Sequence, residues 1–244
     1  MNEKPRLLIV EDEVAIRSGL VDVFIYHGYE VATAEDGRDG LRQALTGEHD
    51  LILLDVMLPF MDGFEICKKI REQDRDQPII MLTAKSNDED IIQGLTLGAD
   101  DYVAKPFSVA QLVLRVQAVL KRSHRSVQET TSIVLANGII IDVKNLSAQK
   151  TGSQKETDDK NTISFTRREM DVLEYLFQYS DRPVSREELL NKIWGYQKDM
   201  DIETRTVDIH IAKLRRKIEK DSKIPEALLT VRGAGYKLIV SDSV

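Results

Sequence analysis

The first half of the chain alternates short apolar runs with longer segments in which apolar residues recur at helical spacing. The apolar runs predict strands at 7–10, 30–33, 51–54, 79–82 and 102–103. Helical spacing covers 14–26, 37–45, 63–72, 87–97 and 108–121. Because such repeats bury both faces of a sheet, the pattern predicts an α/β domain with one parallel sheet. Right-handed crossovers leave few topologies, and the flavodoxin-like strand order 2-1-3-4-5 suits this size.

The second half has a different pattern. Residues 123–132 are polar and predict a linker between a domain over 1–122 and a second domain over 133–244. Short strand candidates cover 133–135, 138–142, 146–149 and 162–165, and the polar residues 151–161 predict an exposed loop. Helical patterns follow at 166–179, 185–194 and 203–220, and then a β-hairpin at 228–240. Three helices followed by a hairpin indicate an α+β winged helix-turn-helix domain.

Composition agrees with a two-domain protein of the cytoplasm. The 244 residues are enough for two ordinary cores. No apolar stretch approaches the ~20 residues of a membrane span, and the N-terminus lacks the apolar region of a signal peptide. The single cysteine, Cys67, excludes an internal disulfide, suits a reducing compartment and is interpreted as a helix thiol, not a nucleophile. We therefore expect a cytoplasmic protein without membrane insertion.

The net charge of -7 is unevenly distributed. Residues 1–122 contain 14 Lys and Arg against 22 Asp and Glu, a balance of -8. Residues 123–244 contain 20 against 19, a balance of +1. This asymmetry predicts different partners for the two halves.

Carboxylates follow the first and third predicted strands. Glu11 and Asp12 come directly after the first strand, and Asp55 comes at the end of the third. In the order 2-1-3-4-5 the chain direction reverses between strands 1 and 3, so these groups are expected to meet at the switch point. Three carboxylates repel one another unless a cation offsets them. Oxygen ligands alone suit a hard cation, and we expect Mg²⁺.

Two further strand ends provide side chains with polar groups. Thr83 ends the fourth strand with a hydroxyl, and Lys105 follows the fifth with an ammonium. Carboxylates, a metal, a hydroxyl and a lysine suit phosphoryl transfer, and aspartate can form an aspartyl phosphate. An acidic triplet after a strand is also typical of a solvated helix start. The functional interpretation therefore depends on four strand ends that bring the right groups to one edge.

The segment 203–220 predicts a basic helix. Its apolar residues form one face, made of Val207, Ile211, Leu214 and Ile218. The rest of its surface carries Arg205, Thr206, His210, Lys213, Arg216 and Lys217, with Arg215 next to the apolar stripe. This pattern is typical of a solvated basic helix and equally of a helix that enters the major groove of DNA. The order of the surrounding elements favours DNA binding.

Both halves resemble known domains. Residues 5–121 resemble the receiver domain of a bacterial two-component response regulator, and residues 133–240 resemble the DNA-binding domain of the OmpR/PhoB subfamily. The receiver motifs are LLIVEDE (7–13), LILLDVMLPFMDG (51–63), LTA (82–84), GADDY (98–102) and KPF (105–107). The DNA-binding motifs are FTRREMDVLEYL (165–176), VSREELLNKIW (184–194), TRTVDIHIAKLRRKI (204–218) and TVRGAGYKL (230–238).

For the first domain, the resemblance implies that Asp55 accepts a phosphoryl group from the phosphohistidine of a sensor histidine kinase. Mg²⁺ is expected on Asp12, Asp55 and the Met57 carbonyl, with Glu11 acting mostly through water. Lys105 is expected to pair with the phosphoryl group and to precede a cis peptide bond to Pro106. Thr83 is expected to move toward the phosphoryl oxygen, and Tyr102 to turn inward behind it.

For the second domain, the resemblance implies that Arg205, Thr206, His210, Lys213 and Arg215 face DNA. Trp194 and Thr230 are expected to touch its backbone, and Arg232 to approach the minor groove. His210 is expected to be a polar contact and not a metal ligand. Ala212 stands where some members carry a basic residue.

The resemblance also implies a homodimer through the face of the fourth helix, fifth strand and fifth helix of the receiver. The family's charged residues on this face are matched by Glu89, Asp100, Asp101, Arg115 and Arg122. Charges that are frequent in other members are missing at Ile91, Gln111, Gln117 and Ala118. We therefore expect a dimer with fewer ion pairs between its subunits, in which apolar contacts carry more of the association.

Together these features predict a transcriptional regulator that binds promoter DNA when phosphorylated, with a histidine kinase, double-stranded DNA, a second copy and RNA polymerase as partners. It is not expected to be an enzyme beyond self-phosphorylation from small acyl phosphates and slow autodephosphorylation. One alternative is a regulator that binds DNA without phosphorylation. A stand-alone phosphotransfer enzyme or phosphatase is disfavoured, because Met57 stands two residues after Asp55 and provides no second acid or base.

Overall fold

A computed structural model of the protein describes residues 4–83, 88–123, 132–150, 162–195 and 205–241, with the backbone alone for 88–92, 121–123 and 205. The chain divides into two compact units, Met1–His124 and Arg125–Val244. Most of the predicted linker and all of the predicted loop at 151–161 lie outside the described residues. Among the helices that the structure describes, none is long and apolar enough to span a bilayer.

The first unit contains a five-stranded parallel sheet in the order β2-β1-β3-β4-β5, which confirms the predicted topology. The strands are β1 (Arg6–Val10), β2 (Glu30–Ala34), β3 (Leu51–Asp55), β4 (Ile79–Thr83) and β5 (Asp101–Ala104). The helices are α1 (Val14–Tyr26), α2 (Gly37–Ala44), α3 (Gly63–Gln73), α4 (Asp88–Leu97) and α5 (Val109–Ser123).

The central strands of this sheet are buried on both faces. The runs Leu7–Val10 and Leu51–Leu54 are fully inaccessible to solvent, as expected for uninterrupted apolar strands in a parallel sheet. On one face, Phe24 of α1 and Leu112 and Val116 of α5 pack in the same cluster as these strands. Such a rigid sheet fixes the positions of the residues that follow each strand.

The second unit contains a four-stranded antiparallel sheet, three helices and a C-terminal hairpin, the winged-helix arrangement. The sheet contains β6 (Ser132–Val134), β7 (Ile139–Asp142), β8 (Ser147–Lys150) and β9 (Ile163–Ser164). The helices are α6 (Arg167–Gln178), α7 (Arg186–Trp194) and α8 (Arg205–Ile218), and the hairpin is β10 (Leu228–Val231) with β11 (Gly235–Leu238). The last strand before the helices is shorter than predicted, because Phe165 and Thr166 lead into α6 and Thr166 is its N-cap.

The helices α6 and α7 begin at capping residues, and α8 packs into the core of the unit. Thr166 caps α6 through a capping box with Glu169, and Ser185 caps α7 by accepting a hydrogen bond from the Glu188 amide. Val207 and Leu214 of α8 are fully buried in the same core cluster as Leu173 of α6. The predicted apolar face of the basic helix is therefore confirmed.

Candidate phosphoacceptor site and DNA-binding surface

The carboxyl edge of the parallel sheet gathers the predicted acidic residues. Glu11 follows β1, and Asp55 is the last residue of β3, the neighbouring strand. One carboxylate oxygen from each of Glu11, Asp12 and Asp55 lies within 4.8 Å of the others. Glu11 and Asp55 are buried, whereas Asp12 is exposed at the opening of the site. The cluster predicted from the strand ends is thus present.

Lys105 crosses from the end of β5 and holds two of these carboxylates. Its Nζ lies 2.7 Å from Glu11 Oε2 and 2.7 Å from Asp55 Oδ2. Burial and the nearby Asp55 charge raise the pKa of Glu11 to about 7, although the Lys105 hydrogen bond opposes the rise. Burial lowers the pKa of Lys105, but hydrogen bonds to Asp55 and Glu11 outweigh it, so the net direction is upward. One ammonium therefore offsets only part of the charge of three carboxylates.

The donor set fits a hard divalent cation. Glu11, Asp12 and Asp55 provide oxygen atoms only, which Mg²⁺ prefers. The Met57 amide donates to Asp55 Oδ1 at 3.1 Å and orients this carboxylate, while the Met57 side chain is exposed. Receiver domains bind Mg²⁺ in an acidic pocket of this kind.

The predicted switch residues lie in the interior beside this edge. Thr83 ends β4 and is fully buried, and its carbonyl accepts a hydrogen bond from the Lys105 amide at 2.6 Å. The Lys105–Pro106 peptide bond is cis, as expected. Tyr102 on β5 is also buried. Thr83 and Lys105 are thus linked through their backbones as well as placed at adjacent strand ends.

The loop after β3 is shaped by Gly63, the last residue of the motif at 51–63. The Gly63 amide donates to the Val56 carbonyl at 2.9 Å, so the loop folds back on the strand. A Cβ at Gly63 would lie 2.2 Å from the Asp55 carbonyl oxygen. Only glycine permits this approach of α3 to β3.

In the second unit, four of the residues expected to contact DNA are buried. The side chains of Trp194 and His210 are each 1 % exposed, and those of Lys213 and Thr206 are also buried. The His210 ring packs against the Trp194 ring at a centroid distance of 5.1 Å. These side chains form part of the interior of the unit in this structure, and their expected contacts with DNA stay predictions.

Lys213 is held inside the unit by a buried carboxylate. Its Nζ lies 2.9 Å from Glu169 Oε1, and Lys217 Nζ lies 2.6 Å from Glu169 Oε2. Burial raises the pKa of Glu169, but the charges of Lys213 and Lys217 outweigh it and lower the pKa below its usual range. Glu169 therefore fastens α8 to α6, and Lys213 is an internal ion-pair partner.

The outer side of α8 and the hairpin carry exposed residues. Ala212 and Arg216 are exposed on α8, and Thr230 and Arg232 are exposed on the hairpin. Arg215 joins the two elements, because it donates to the Leu228 carbonyl and to Thr230 Oγ1, each at 2.8 Å. The predicted positions of Arg215, Thr230 and Arg232 are thus compatible with a DNA contact, and the side chain of Arg205 lies outside the described residues.

The hairpin is fastened to the helices at a further point that sequence patterns do not show. Tyr236 of β11 donates its hydroxyl hydrogen bond to Asp208 of α8, and Arg186 of α7 contacts both residues. Burial and Asp208 raise the pKa of Tyr236 to about 12. These contacts therefore hold α8 and the hairpin together.

Two acidic residues of the expected dimer face form ion pairs with arginines of the same chain. Asp100 Oδ2 accepts hydrogen bonds from Arg71 Nη2 at 2.9 Å and from the Ile79 amide at 2.8 Å. Asp101 Oδ2 accepts one from Arg115 Nη1 at 2.9 Å. Both carboxylates are buried in this structure, and their expected role in a dimer stays a prediction. The side chains of Glu89 and Arg122 lie outside the described residues.

The fold and the acidic edge define a receiver domain, and the second unit is a winged-helix DNA-binding domain. Comparison with known families agrees with this. The family described as response regulator receiver domain matches residues 7–117, and the family described as transcriptional regulatory protein, C terminal, matches residues 159–238. The chain belongs to the two-component response regulators of the OmpR/PhoB type.

Relatives match over nearly the whole chain. The alkaline phosphatase synthesis transcriptional regulatory protein PhoP of Bacillus subtilis (strain 168) is 42 % identical over 241 residues, which cover 98 % of this chain and 97 % of that protein. The response regulator ArlR of Staphylococcus aureus is 39 % identical over 95 % of this chain and 98 % of its own. A solved structure of a mutant of the protein RitR is similar with a TM-score of 0.70 at 28 % identity, over 97 % of this chain and 100 % of that one.

Proposed function

We propose that this response regulator is switched on by phosphorylation of Asp55 and that the phosphorylated form binds promoter DNA as a dimer. The observation that carries the proposal is the position of the Asp55 carboxylate, which lies in the Glu11–Asp12–Asp55 cluster and 2.7 Å from the Lys105 ammonium. A nucleophilic carboxylate, a fixed cation and oxygen ligands for Mg²⁺ are the parts that phosphoryl transfer needs.

In the proposed reaction, an Asp55 oxygen attacks the phosphorus of a kinase phosphohistidine. The new O–P bond forms as the N–P bond breaks, and the leaving imidazole takes up a proton. Asp12 and Asp55, with Glu11 acting mostly through water, would hold Mg²⁺, which when bound supplies positive charge to the phosphoryl oxygens. Lys105 would exchange its contacts with Glu11 and Asp55 for one with the phosphoryl group.

The phosphoryl group adds negative charge and acceptor oxygens at one point of the sheet edge. Thr83 provides a hydroxyl at the end of β4, the strand next to β3, and Tyr102 lies on the next strand, β5. We propose that Thr83 moves toward the phosphoryl oxygen, that Tyr102 follows, and that the α4–β5–α5 face changes so that two receivers pair. Pairing would place two DNA-binding units on half-sites about one helical turn apart, where the complex can also contact RNA polymerase.

The proposed protein is not an enzyme with an external substrate. It would take its phosphoryl group from a histidine kinase or a small acyl phosphate, and slow hydrolysis would return it to the starting state. A phosphatase would hydrolyse small phosphomonoesters with turnover, so incubation of the full chain with such esters and Mg²⁺ is expected to release no phosphate beyond one equivalent.

The test is incubation with acetyl phosphate and Mg²⁺, followed by intact mass and by DNA affinity. The wild-type chain is expected to gain one phosphoryl group and to bind its selected DNA more tightly, whereas Asp55→Asn does neither. Asp22→Asn, an exposed aspartate on α1, is the matched control and should behave like the wild type. Unfolding curves establish that both variants are folded. An equal rise in DNA affinity for Asp55→Asn, or no rise for the phosphorylated wild type, would favour the phosphorylation-independent alternative.

A further inference from the structure

Arg17 on α1 forms hydrogen bonds with the backbone of Glu11 and Asp12. Its Nη1 donates to the Glu11 carbonyl at 2.6 Å and to the Asp12 carbonyl at 3.1 Å. Its Nη2 lies 3.3 Å from Glu35 at the end of β2. The side chain is 15 % exposed, so this arginine is largely withdrawn from solvent. Neither the acidic motif nor helical spacing singled it out.

The two carbonyls belong to the peptide groups on either side of the Asp12 Cα atom. Fixing both peptide planes fixes the φ and ψ angles of Asp12, and therefore the direction of its Cα–Cβ bond. The other two carboxylates of the cluster are held directly, since Lys105 binds both Glu11 and Asp55. Within the described residues, no hydrogen bond or ion pair reaches the exposed Asp12 carboxylate. The direction of the Asp12 carboxylate therefore depends on the backbone conformation of Asp12.

We propose that Arg17 is a positioning residue for divalent-cation binding, which acts by aiming the Asp12 carboxylate into the site. The inference rests on the proposed function, because it takes Asp12 as a ligand of Mg²⁺. Residues that orient a metal ligand typically contribute 10- to 100-fold to metal affinity. Two hydrogen bonds from one nitrogen to consecutive carbonyls are a specific geometry that a merely solvated arginine would not need.

The positive charge of Arg17 is expected to lower the affinity for Mg²⁺, whereas its positioning role raises it. The direction of the change in affinity therefore tests the proposal. A guanidinium near the cluster repels a cation, so loss of its charge alone would tighten Mg²⁺ binding. Loss of positioning would weaken Mg²⁺ binding. The two roles therefore predict changes in opposite directions for the same variant.

The experiment is calorimetric titration of the full-length chain with MgCl₂. Arg17→Ala is expected to raise the dissociation constant about 10-fold. Arg17→Lys keeps the charge and one nitrogen, and should lie between alanine and the wild type. The control is Arg42→Ala, which removes an equal charge from an exposed side chain on α2 and should leave the constant unchanged. Unchanged or tighter binding by Arg17→Ala would overturn the proposal.

A second readout separates positioning from folding. With acetyl phosphate, Arg17→Ala should need about 10-fold more Mg²⁺ for half-maximal phosphorylation of Asp55, while the rate at saturating Mg²⁺ stays within about 2-fold of the wild type. A lower maximal rate that saturating Mg²⁺ does not restore would contradict the positioning role. If Arg17→Ala does not fold, the comparison is made with Arg17→Lys. A wild-type chain that binds Mg²⁺ but is never phosphorylated would reject the proposed function and leave the role of Arg17 intact, whereas absence of Mg²⁺ binding would reject both.

Discussion

At the scale of single residues, the Lys105 ammonium offsets the negative charges of two buried carboxylates at the edge of the sheet. Its ammonium is largely buried and contacts Glu11 and Asp55. Removing one partner of a buried pair typically costs about 3 kcal/mol, because the remaining charge is left without compensation. We therefore expect Lys105→Met to lower the free energy of unfolding of the receiver by about this amount at pH 8.

The sign of the pH dependence follows from Glu11. Its pKa in the folded protein is already raised from 4.5 to about 7, and loss of Lys105 raises it further. A raised pKa stabilises the fold at pH values below the unfolded pKa, and this stabilisation is lost as the pH rises through the folded value. Lys105→Met should thus be less destabilised at pH 5 than at pH 8 in thermal melts, and Mg²⁺ should restore stability at pH 8. Lys69→Met, which removes a half-exposed lysine of α3, should show no such pH dependence.

His210 gives the second unit an acid sensitivity of the opposite sign. Burial and the nearby Lys213 charge lower its pKa from 6.5 to about 3, and neither ring nitrogen has a hydrogen-bond partner among the described residues. Because the folded pKa is below the unfolded one, stability is complete above pH 6.5 and is lost as the pH falls toward 3. The expected slope is about 1.4 kcal/mol per unit of pH.

Trp194 is the only tryptophan of the chain and contacts His210, so its fluorescence reports this transition. Urea unfolding of the full chain between pH 6.5 and 4 should show the slope, and His210→Phe should remove most of it. His27→Phe, at an exposed histidine after α1, should keep the slope. A variant at His210 with an unchanged slope would assign the acid sensitivity to other groups.

At the scale of elements, the approach of α3 to β3 depends on Gly63. A Cβ there would meet the Asp55 carbonyl oxygen at 2.2 Å, and this neighbour is backbone that cannot rotate away. Gly63→Ala is expected to destabilise the receiver by about 1–3 kcal/mol and to displace the Asp55 segment. Gly19→Ala on α1 is the matched change, since a Cβ there meets nothing within 4 Å and alanine favours a helix by about 1 kcal/mol. Thermal melts should therefore move in opposite directions for the two variants.

The elements that sequence predicts well are those whose pattern is set locally. The apolar runs predicted the strands of the sheet, and the residues that end or follow these runs predicted the acidic site. The DNA-facing side of α8 could not be predicted in the same way. His210 and Lys213 flank the apolar stripe, and whether a flank is buried depends on Trp194 and Glu169, which belong to other helices. Asp100 and Asp101 are similar, because their partners Arg71 and Arg115 lie 29 and 14 residues away in sequence.

The exposed and buried sides of α8 predict which of its basic residues bind DNA and which stabilise the unit. Arg216 is exposed, whereas Lys213 is buried against Glu169. Arg216→Ala should weaken DNA binding, reduce the salt slope of the binding constant by about 1 and leave the unfolding curve unchanged. Lys213→Ala should instead destabilise the unit, because Glu169 loses one of its two lysines. Normal DNA affinity for Arg216→Ala would place the DNA on another face of the unit.

At the scale of the whole molecule, the in-chain ion pairs bear on the dimer that we propose. Asp100 and Asp101 are already bound to Arg71 and Arg115, and the expected dimer face has the uncharged residues Ile91, Gln111, Gln117 and Ala118. Cross-subunit ion pairs are therefore expected to be few, and exposed pairs contribute only about 0–1 kcal/mol each. Burial of apolar surface should provide most of the association free energy of the phosphorylated chain.

Dimerisation and DNA binding are therefore expected to respond differently to salt concentration. Dimerisation of the phosphorylated chain, measured by sedimentation equilibrium, should change less than about 3-fold between 50 and 500 mM NaCl, because apolar association is little screened. DNA affinity of the same sample should fall steeply over that range, because it depends on phosphate contacts. Arg71→Gln provides the structural check: it releases Asp100 from its buried partner and should make dimerisation more sensitive to salt. A steep salt dependence for the wild-type dimer would mean that Asp100 and Asp101 leave their in-chain partners when the receiver is phosphorylated, and the association would then be mainly electrostatic.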